Sequence, residues 1–385
     1  MADVMLIDGN SLTYRAFFAL PTDMATASGQ VTNAVFGFTS MLINLMKDHD
    51  PDLIAVAFDR PEPTFRHEMT PTYKAQRESA PDILRQQMGL VREVLEALAM
   101  PVLETPGYEA DDIIATLATQ ARDRGDDVII VTGDRDSYQL VEDPHVKVLY
   151  NKRGVSDYVL YDEAGIEERT GVAPADYVQY AALRGDNSDN LPGVPGVGEK
   201  TAAKLINERG GIDGIYAVLD ELTPKLRENL AANEDNVRNN VEMMRLVRDV
   251  DLPVSLDELV QGEIDREELR KLFDFLEFRT LHDRLAEVLG GEAGPAAEVL
   301  EAEVTTFATP GEAAAAVAAV ATGSGILALA VPEGGIDEGL AFVIDSAGAE
   351  VGFVPGIVLT DAEVLGRLRT LLGPAGRPVA MHGAK

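Results

Sequence analysis

Three short apolar runs, Val4–Ile7, Leu53–Phe58 and Asp127–Val131, constrain this chain more than any other feature, because helix-patterned sequence separates each from the next. Strands that alternate with helical stretches fold as a parallel α/β sheet, since a parallel connection needs a crossover long enough to carry a helix. Val4–Ile7 leads through Asp8-Gly9-Asn10-Ser11 into a helix-like Leu12–Phe18, Val35–Leu45 patterns as a second helix, and Val146–Leu149 adds a strand. An acid follows each of the three runs: Asp8, Asp59, and Asp134 with Asp136 after Thr132-Gly133. Open parallel sheets bind ligands in the crevice beyond the carboxyl ends of their strands. One aspartate after a strand is an ordinary turn residue. The same placement three times predicts a shared site on one sheet edge.

Further acids come from helix ends. Gly107-Tyr108-Glu109-Ala110-Asp111-Asp112 runs into the apolar Ile113-Ile114-Ala115 and reads as the first turn of a helix. The helix dipole welcomes one or two acids there. Three crowded together repel one another unless a cation lies between them, so this stretch reads either as a solvated helix start or as a metal site. Asp186 and Asp189, in Arg184–Asn190, follow a helix over 175–183, at an end where the dipole disfavours negative charge. The candidate set is therefore Asp8, Asp59, Glu109, Asp111, Asp112, Asp134, Asp136, Asp186 and Asp189. So many carboxylates in one crevice require cations. The chain has no cysteine and only 5 histidines, which leaves hard, oxygen-liganded ions, Mg²⁺ or Mn²⁺. Two such ions about 3.5–4 Å apart clamp the attacking and leaving oxygens of an in-line phosphoryl displacement. The chemistry expected is metal-assisted phosphodiester hydrolysis.

A net charge of −32 and a pI near 4.4 argue, as sums, against a nucleic-acid partner. The basic residues are nevertheless local. Arg60–Arg77 interleaves Arg60, Arg66, His67, Lys74 and Arg77 with Phe65, Tyr73 and several prolines. It reads either as a solvated surface loop or as a flexible cover over the crevice. As a cover it brings Lys74 and Arg77 to a phosphate, and Tyr73 or Phe65 to a base face. An amphipathic helix over 81–98 follows. Leu191–Ala202 places Gly196 and Gly198 before a helix with Lys200 and Thr201 in its first turn. That is either an ordinary glycine-rich turn or a phosphate cradle of backbone N–H groups. Helix, glycine hairpin and helix grip a DNA backbone without reading bases.

Helical sequence continues to about Leu289, a Gly/Ala/Glu-rich linker spans 290–297, and 298–385 reads as a separate segment. In it Gly325–Val331 and Leu340–Ile344 pair as strands, and Pro378–Lys385 reads as a strand leading into more structure, so the chain is expected to stop inside a domain. No stretch approaches the roughly 18 apolar residues of a membrane span, and structured sequence begins at once. A soluble, cytoplasmic monomer without membrane contact is expected.

The motifs Leu6–Asn10, Ala57–Asp59, Tyr108–Asp112, Gly133–Asp136, Gly185–Asn190 and Gly196–Ala202 resemble the 5′-nuclease domain of bacterial DNA polymerase I, within the structure-specific flap endonuclease family. The resemblance is collinear over residues 1–289. It implies a PIN-like, parallel-sheet nuclease core over 1–172 with an arch at 60–85 through which a 5′ strand threads. It also implies a helical DNA-binding region with a helix–hairpin–helix over 173–289. The implied activity removes 5′ flaps and RNA primers at nicks. Arg15, Lys74 and Arg77 would lie near the reacting phosphate. Asp8, Asp59, Glu109 and Asp111 would surround one ion, and Asp134, Asp136, Asp186 and Asp189 the other, with Asp112 between or behind them. Tyr73, Arg66, Gly196, Gly198, Lys200 and Thr201 would contact DNA, with a monovalent cation such as K⁺ in the hairpin loop. Residues 298–385 resemble the start of a proofreading-type, RNase H-like exonuclease domain. Its first strand, Leu327-Ala328-Leu329-Ala330, lacks the Asp-x-Glu of active members, which implies no proofreading. A polymerase domain in cis is implied if the chain is part of a longer polymerase. A free-standing 5′–3′ exonuclease, a silent DNA-binding module and a small-substrate metal phosphatase are the alternatives.

Overall fold

The strand Asp3–Asp8 (β1) is the centre from which a six-stranded sheet winds outward. The computed structural model describes residues 1–289 and 303–382 apart from 78, 324, 333–334, 346–349 and 374–375. The linker expected at 290–297 lies outside the described residues. The chain divides into two compact units, Met1–Ala293 and Gly294–Lys385.

In the first unit β1 is followed by helices Gly9–Ala19 (α1) and Asn33–His49 (α2), then strand Leu53–Ala57 (β2), short helix Phe65–Met69 (α3) and helix Asp82–Ala97 (α4). Strand Val102–Leu103 (β3), helix Ala110–Arg124 (α5) and strands Asp127–Thr132 (β4), Val146–Arg153 (β5) and Asp157–Tyr161 (β6) complete the sheet. Its order is β3-β2-β1-β4-β5-β6, parallel except for β6, which runs antiparallel to β5. β3 and β6 are additions to the sequence reading. The winding direction reverses between β1 and β4, and such a switch point opens a crevice at the strands' carboxyl ends.

Side chains alternate across each strand. Val4 and Leu6 of β1, with Ala55 of β2 and Ile130 of β4, pack against Ile113, Ile114 and Leu117 of α5. Met5, Ile7, Ile54 and Val56 pack on the opposite face against Leu12, Phe38, Met41 and Leu95 of α1, α2 and α4. Burial on both faces explains why these strands read as unbroken apolar runs.

Helices Glu163–Thr170 (α6), Tyr177–Arg184 (α7), Glu199–Arg209 (α8), Ile212–Ala217 (α9), Pro224–Ala232 (α10) and Glu234–Met244 (α11) form the helical part. Between α7 and α8 a two-strand ribbon pairs Gly185 with Pro192 and Asp186 with Leu191. The last helices, Arg266–Phe275 (α12) and Arg279–Val288 (α13), were expected within the helical region. They instead bury Leu269, Phe273, Leu281 and Leu285 in the sheet's second core, beside α2 and α4.

In the second unit Leu327–Ala330 runs antiparallel to Gly339–Asp345, and the five-stranded sheet is completed by Glu350–Pro355, Glu303–Thr306 and Val379–His382. Val317, Leu329, Phe342, Val354 and Leu368 fill its core. Among the described residues no helix is long and apolar enough to cross a membrane.

Candidate active site

The register of the sheet sets the first contacts of the site. Asp8 ends β1 level with Ala57, and the neighbouring pair Ile7 and Val131 brings Thr132 beside it. Asp8 caps α1 by accepting the Ser11 N–H at 2.9 Å, and its other oxygen accepts the Thr132 hydroxyl at 2.8 Å. Asp59 accepts the Ala110 N–H of α5 at 2.7 Å and the Asn10 amide at 3.2 Å. Asp134 accepts the Asp136 N–H at 2.9 Å, which folds the Gly133–Asp136 turn back on itself. β1, β2, β4 and the start of α5 thus deliver acids to one crevice.

The electrostatics of this crevice are set by burial and by mutual repulsion of its acids. Burial pushes the Asp8 carboxyl up to about 7, with Asp59 and Asp134 adding repulsion. Asp59 and Asp134 are raised chiefly by burial too. Asp111 and Asp136 rise well above the ordinary carboxylate range, first from burial and then from neighbouring acids. For Asp111 those neighbours are Asp8, Asp134, Asp59 and Glu109. Its Oδ1 is shut off from solvent and accepts no hydrogen bond. An orphaned carboxylate oxygen is costly, and one surrounded by other carboxylates fits a hard metal ion better than any protein donor. Among the described residues no three acidic or histidine side chains are arranged to hold an ion as they stand. Three of the acids, Glu109, Asp112 and Asp189, are engaged by cations from the segment above them.

That segment is not the free loop the prolines suggest. It carries α3, and turns over 70–77 dock it on Asn187–Asn190. The Lys74 N–H donates to the Asp189 carbonyl at 3.0 Å, the Gln76 amide to the Asn187 carbonyl at 2.8 Å, and the Asn190 amide to the Thr72 carbonyl at 2.7 Å. Lys74 adopts φ +54°, in the left-handed region, a backbone strain that clusters at functional sites. Its ammonium donates to Glu109 at 2.8 Å, and Arg77 pairs with Asp189. Burial works against ionisation of Glu109, but Lys74 and Arg66 overcome it and lower its pKa. Asp186 is held by Ser188, through both N–H and hydroxyl, at 2.7 and 2.6 Å. Asp189 is almost buried. Asn240 of α11 holds the adjoining ribbon through the Pro192 carbonyl at 2.9 Å.

Two sequence assignments, Arg66 and Tyr73, are corrected here, and that of Asp112 is narrowed to its place behind the other acids. Arg66, expected on DNA, is 2% exposed and pairs in bidentate fashion with Asp112 at 2.6 and 2.8 Å. It also donates to the carbonyls of Met243 and Arg245 at 2.8 and 3.1 Å. Asp112, expected between the two ions or behind their ligands, is fully buried and spends its remaining capacity on the N–H groups of Glu109 and Val247. The pair joins α3, the start of α5 and the end of α11. Tyr73, expected on a base, is 3% exposed, and its hydroxyl donates to Glu109 and Asp189 at 3.1 and 3.0 Å.

The other assignments lie at the rim. Arg15 donates to the Asn151 carbonyl at 3.1 Å and stands beside Gly133 rather than among the acids. Gly196, with φ +82°, and Gly198 and Lys200 are exposed ahead of and within the first turn of α8, with Thr201 half-buried. Sequence reasoning missed Thr132 and Asn10 as holders of Asp8 and Asp59. Thr132 as the last residue of β4 and Asn10 two residues beyond β1 were the available signal.

Residues 3–171 match the family described as 5′–3′ exonuclease, N-terminal resolvase-like domain, and residues 172–267 match the 5′–3′ exonuclease, C-terminal SAM fold. The chain is 44% identical over 390 residues to DNA polymerase I of Mycobacterium tuberculosis, covering 99% of this chain and 42% of that protein. It is 39% identical over 285 residues to DNA polymerase I of Bacillus subtilis, covering 74% and 32%. The chain therefore spans less than half the length of these relatives. In fold it is similar to a T5 5′-exonuclease solved with zinc bound (TM-score 0.51, 23% identity, 72% of this chain, 98% of that one). It is likewise similar to the catalytic core of Rad2 in complex with DNA substrate (TM-score 0.51, 21% identity, 74% and 92%). Residues 3–267 fall under the paired models of one family, and the chain belongs to the 5′–3′ exonuclease family.

Proposed function

We propose that this chain is the structure-specific 5′ nuclease part of a longer DNA polymerase I, and that it hydrolyses phosphodiester bonds at 5′ flaps and primer ends with two divalent ions, Mg²⁺ or Mn²⁺. The single observation that carries the metal reading is the orphaned, solvent-excluded Asp111 Oδ1 among Asp8, Asp59, Asp134 and Glu109. Asp8, Asp59, Glu109 and Asp111 would hold one ion. Asp134, Asp136, Asp186 and Asp189 would hold the other. Bound ions supply a water of lowered pKa and neutralise charge on the oxygens of the displacement.

The chain's own residues do the rest. Thr132, Ser11, Asn10 and the Ala110 N–H fix the orientation of Asp8 and Asp59. Lys74 and Arg77, now on Glu109 and Asp189, would turn to the scissile phosphate once cations occupy the crevice, stabilising its developing charge. Water attacks phosphorus, the bond to the 3′ oxygen breaks, and a 5′-phosphate remains on the downstream strand. The exposed hairpin at Gly196–Lys200 would hold duplex.

Single-turnover cleavage of a labelled 5′-flap duplex, beside a blunt duplex and the single strand alone, tests the substrate. The flap is expected to be cut fastest, near its junction. Equal rates on all three would remove structure specificity.

A further inference from the structure

A cavity of about 520 Å³ shares Asp134 and Asp186 with the acidic crevice and extends past them to residues the catalytic reading does not use. Those residues include Tyr150, Arg135, Arg184 and Glu199. Arg135 follows β4 and Arg184 ends α7, yet Nη1 of each stands 3.6 Å from the same oxygen, Oε1 of Glu199. Glu199 is the first residue of α8 and its side chain is 53% exposed. A separation of 3.6 Å exceeds the 2.7–2.9 Å of a charge-assisted hydrogen bond, so neither pair is closed. The arginines themselves are placed from behind. Arg184 donates through Nε to the Gly185 carbonyl at 3.2 Å and lies 5.5 Å from the Tyr180 ring centroid. Two guanidiniums from separate elements therefore converge on one point, at the N-terminus of an eleven-residue helix, where a loosely held carboxylate stands. A helix start with free N–H groups and converging arginines binds phosphate better than it binds a single carboxylate.

We propose that Arg135 and Arg184 form a phosphate subsite for the nucleic-acid backbone between the acidic crevice and the glycine hairpin, with Glu199 as the internal anion that the phosphate displaces. The subsite rests on the reading of DNA as substrate. It explains why two arginines share an exposed acid in a chain of net charge −32, where better partners abound. It also gives Glu199 a specific duty: competing for the site and so tuning affinity rather than catalysis.

The test is equilibrium binding of a fluorescent 5′-flap duplex to the full chain in Ca²⁺ between 50 and 200 mM salt. Arg135→Gln and Arg184→Gln are each expected to weaken binding about five- to tenfold and to reduce the salt slope by about 1. Glu199→Gln is expected to tighten binding two- to fivefold, a sign no generally damaging substitution produces. Melting temperatures confirm that the variants fold. Wild-type affinity and salt slope in the arginine variants would overturn the subsite, as would weakening by Glu199→Gln. If the wild-type chain itself fails to bind the flap duplex, the substrate reading fails instead, which separates the two.

Discussion

Adjacent acids in this site have opposite duties. Asp112 is fully buried but completely paired, with Arg66 and two backbone N–H groups. Asp111 keeps an oxygen with no partner among like charges. Asp112→Ala is therefore expected to destabilise the protein by about 3–5 kcal/mol, because it strands a buried arginine. Asp111→Asn is expected to raise the melting temperature of the metal-free protein while abolishing cleavage, since it relieves a repulsion kept for function. Thermal melts in EDTA at pH 8 check both signs. The same repulsion sets a pH dependence. A carboxyl raised from 3.8 to about 7, as Asp8 is, gives the folded state an advantage below the unfolded value that is lost as pH rises through 7. Glu109, lowered by Lys74 and Arg66 despite its burial, acts oppositely and loses its contribution in acid. Without metal, stability is expected to fall as pH rises from about 4 to about 7, and Mg²⁺ is expected to remove that fall. Lys74→Ala should fold, bind duplex, and cut about 10²–10³-fold more slowly in single turnover.

At the scale of elements, the strands and the acids at their ends were legible because burial on both sheet faces demands unbroken apolar runs, and turns follow such runs directly. The cluster Glu109–Asp112 was legible as charge crowding, but its division of labour was not. Whether a carboxylate meets an arginine from 46 residues away is decided by tertiary packing, which one-dimensional spacing does not carry. Tyr73 and Arg66 were misplaced for the same reason: basic and aromatic residues in a proline-rich stretch look exposed until the stretch is docked. β3 escaped notice because it has only two residues, and β6 because it is partly exposed along its whole length, although Tyr158–Tyr161 is an apolar run. The ribbon carrying Asp186 depends on close backbone approach. A Cβ at Gly193 would stand 2.2 Å from the Arg184 carbonyl carbon, and Gly185 sits at φ +82°. Gly193→Ala is expected to cost about 2–4 kcal/mol and to lower cleavage with it, measured by denaturant unfolding and flap cutting on one preparation.

Across the whole molecule, every acid of the candidate set belongs to the unit Met1–Ala293. The second unit has its own five-stranded sheet and core, and its strand Leu327–Ala330 carries no acid. The large negative charge of the chain is thus compatible with the proposed DNA substrate, because Lys74, Arg77 and Lys200 of the hairpin give it local positive groups beside the acids. The central claim is that those acids work only as metal ligands. Cleavage of a labelled 5′-flap duplex by the wild-type chain and by Asp134→Ala, in Mg²⁺ and in EDTA, tests it most directly. Cutting confined to the wild type with Mg²⁺ is the predicted result; undiminished cutting in EDTA, or by Asp134→Ala, would contradict it.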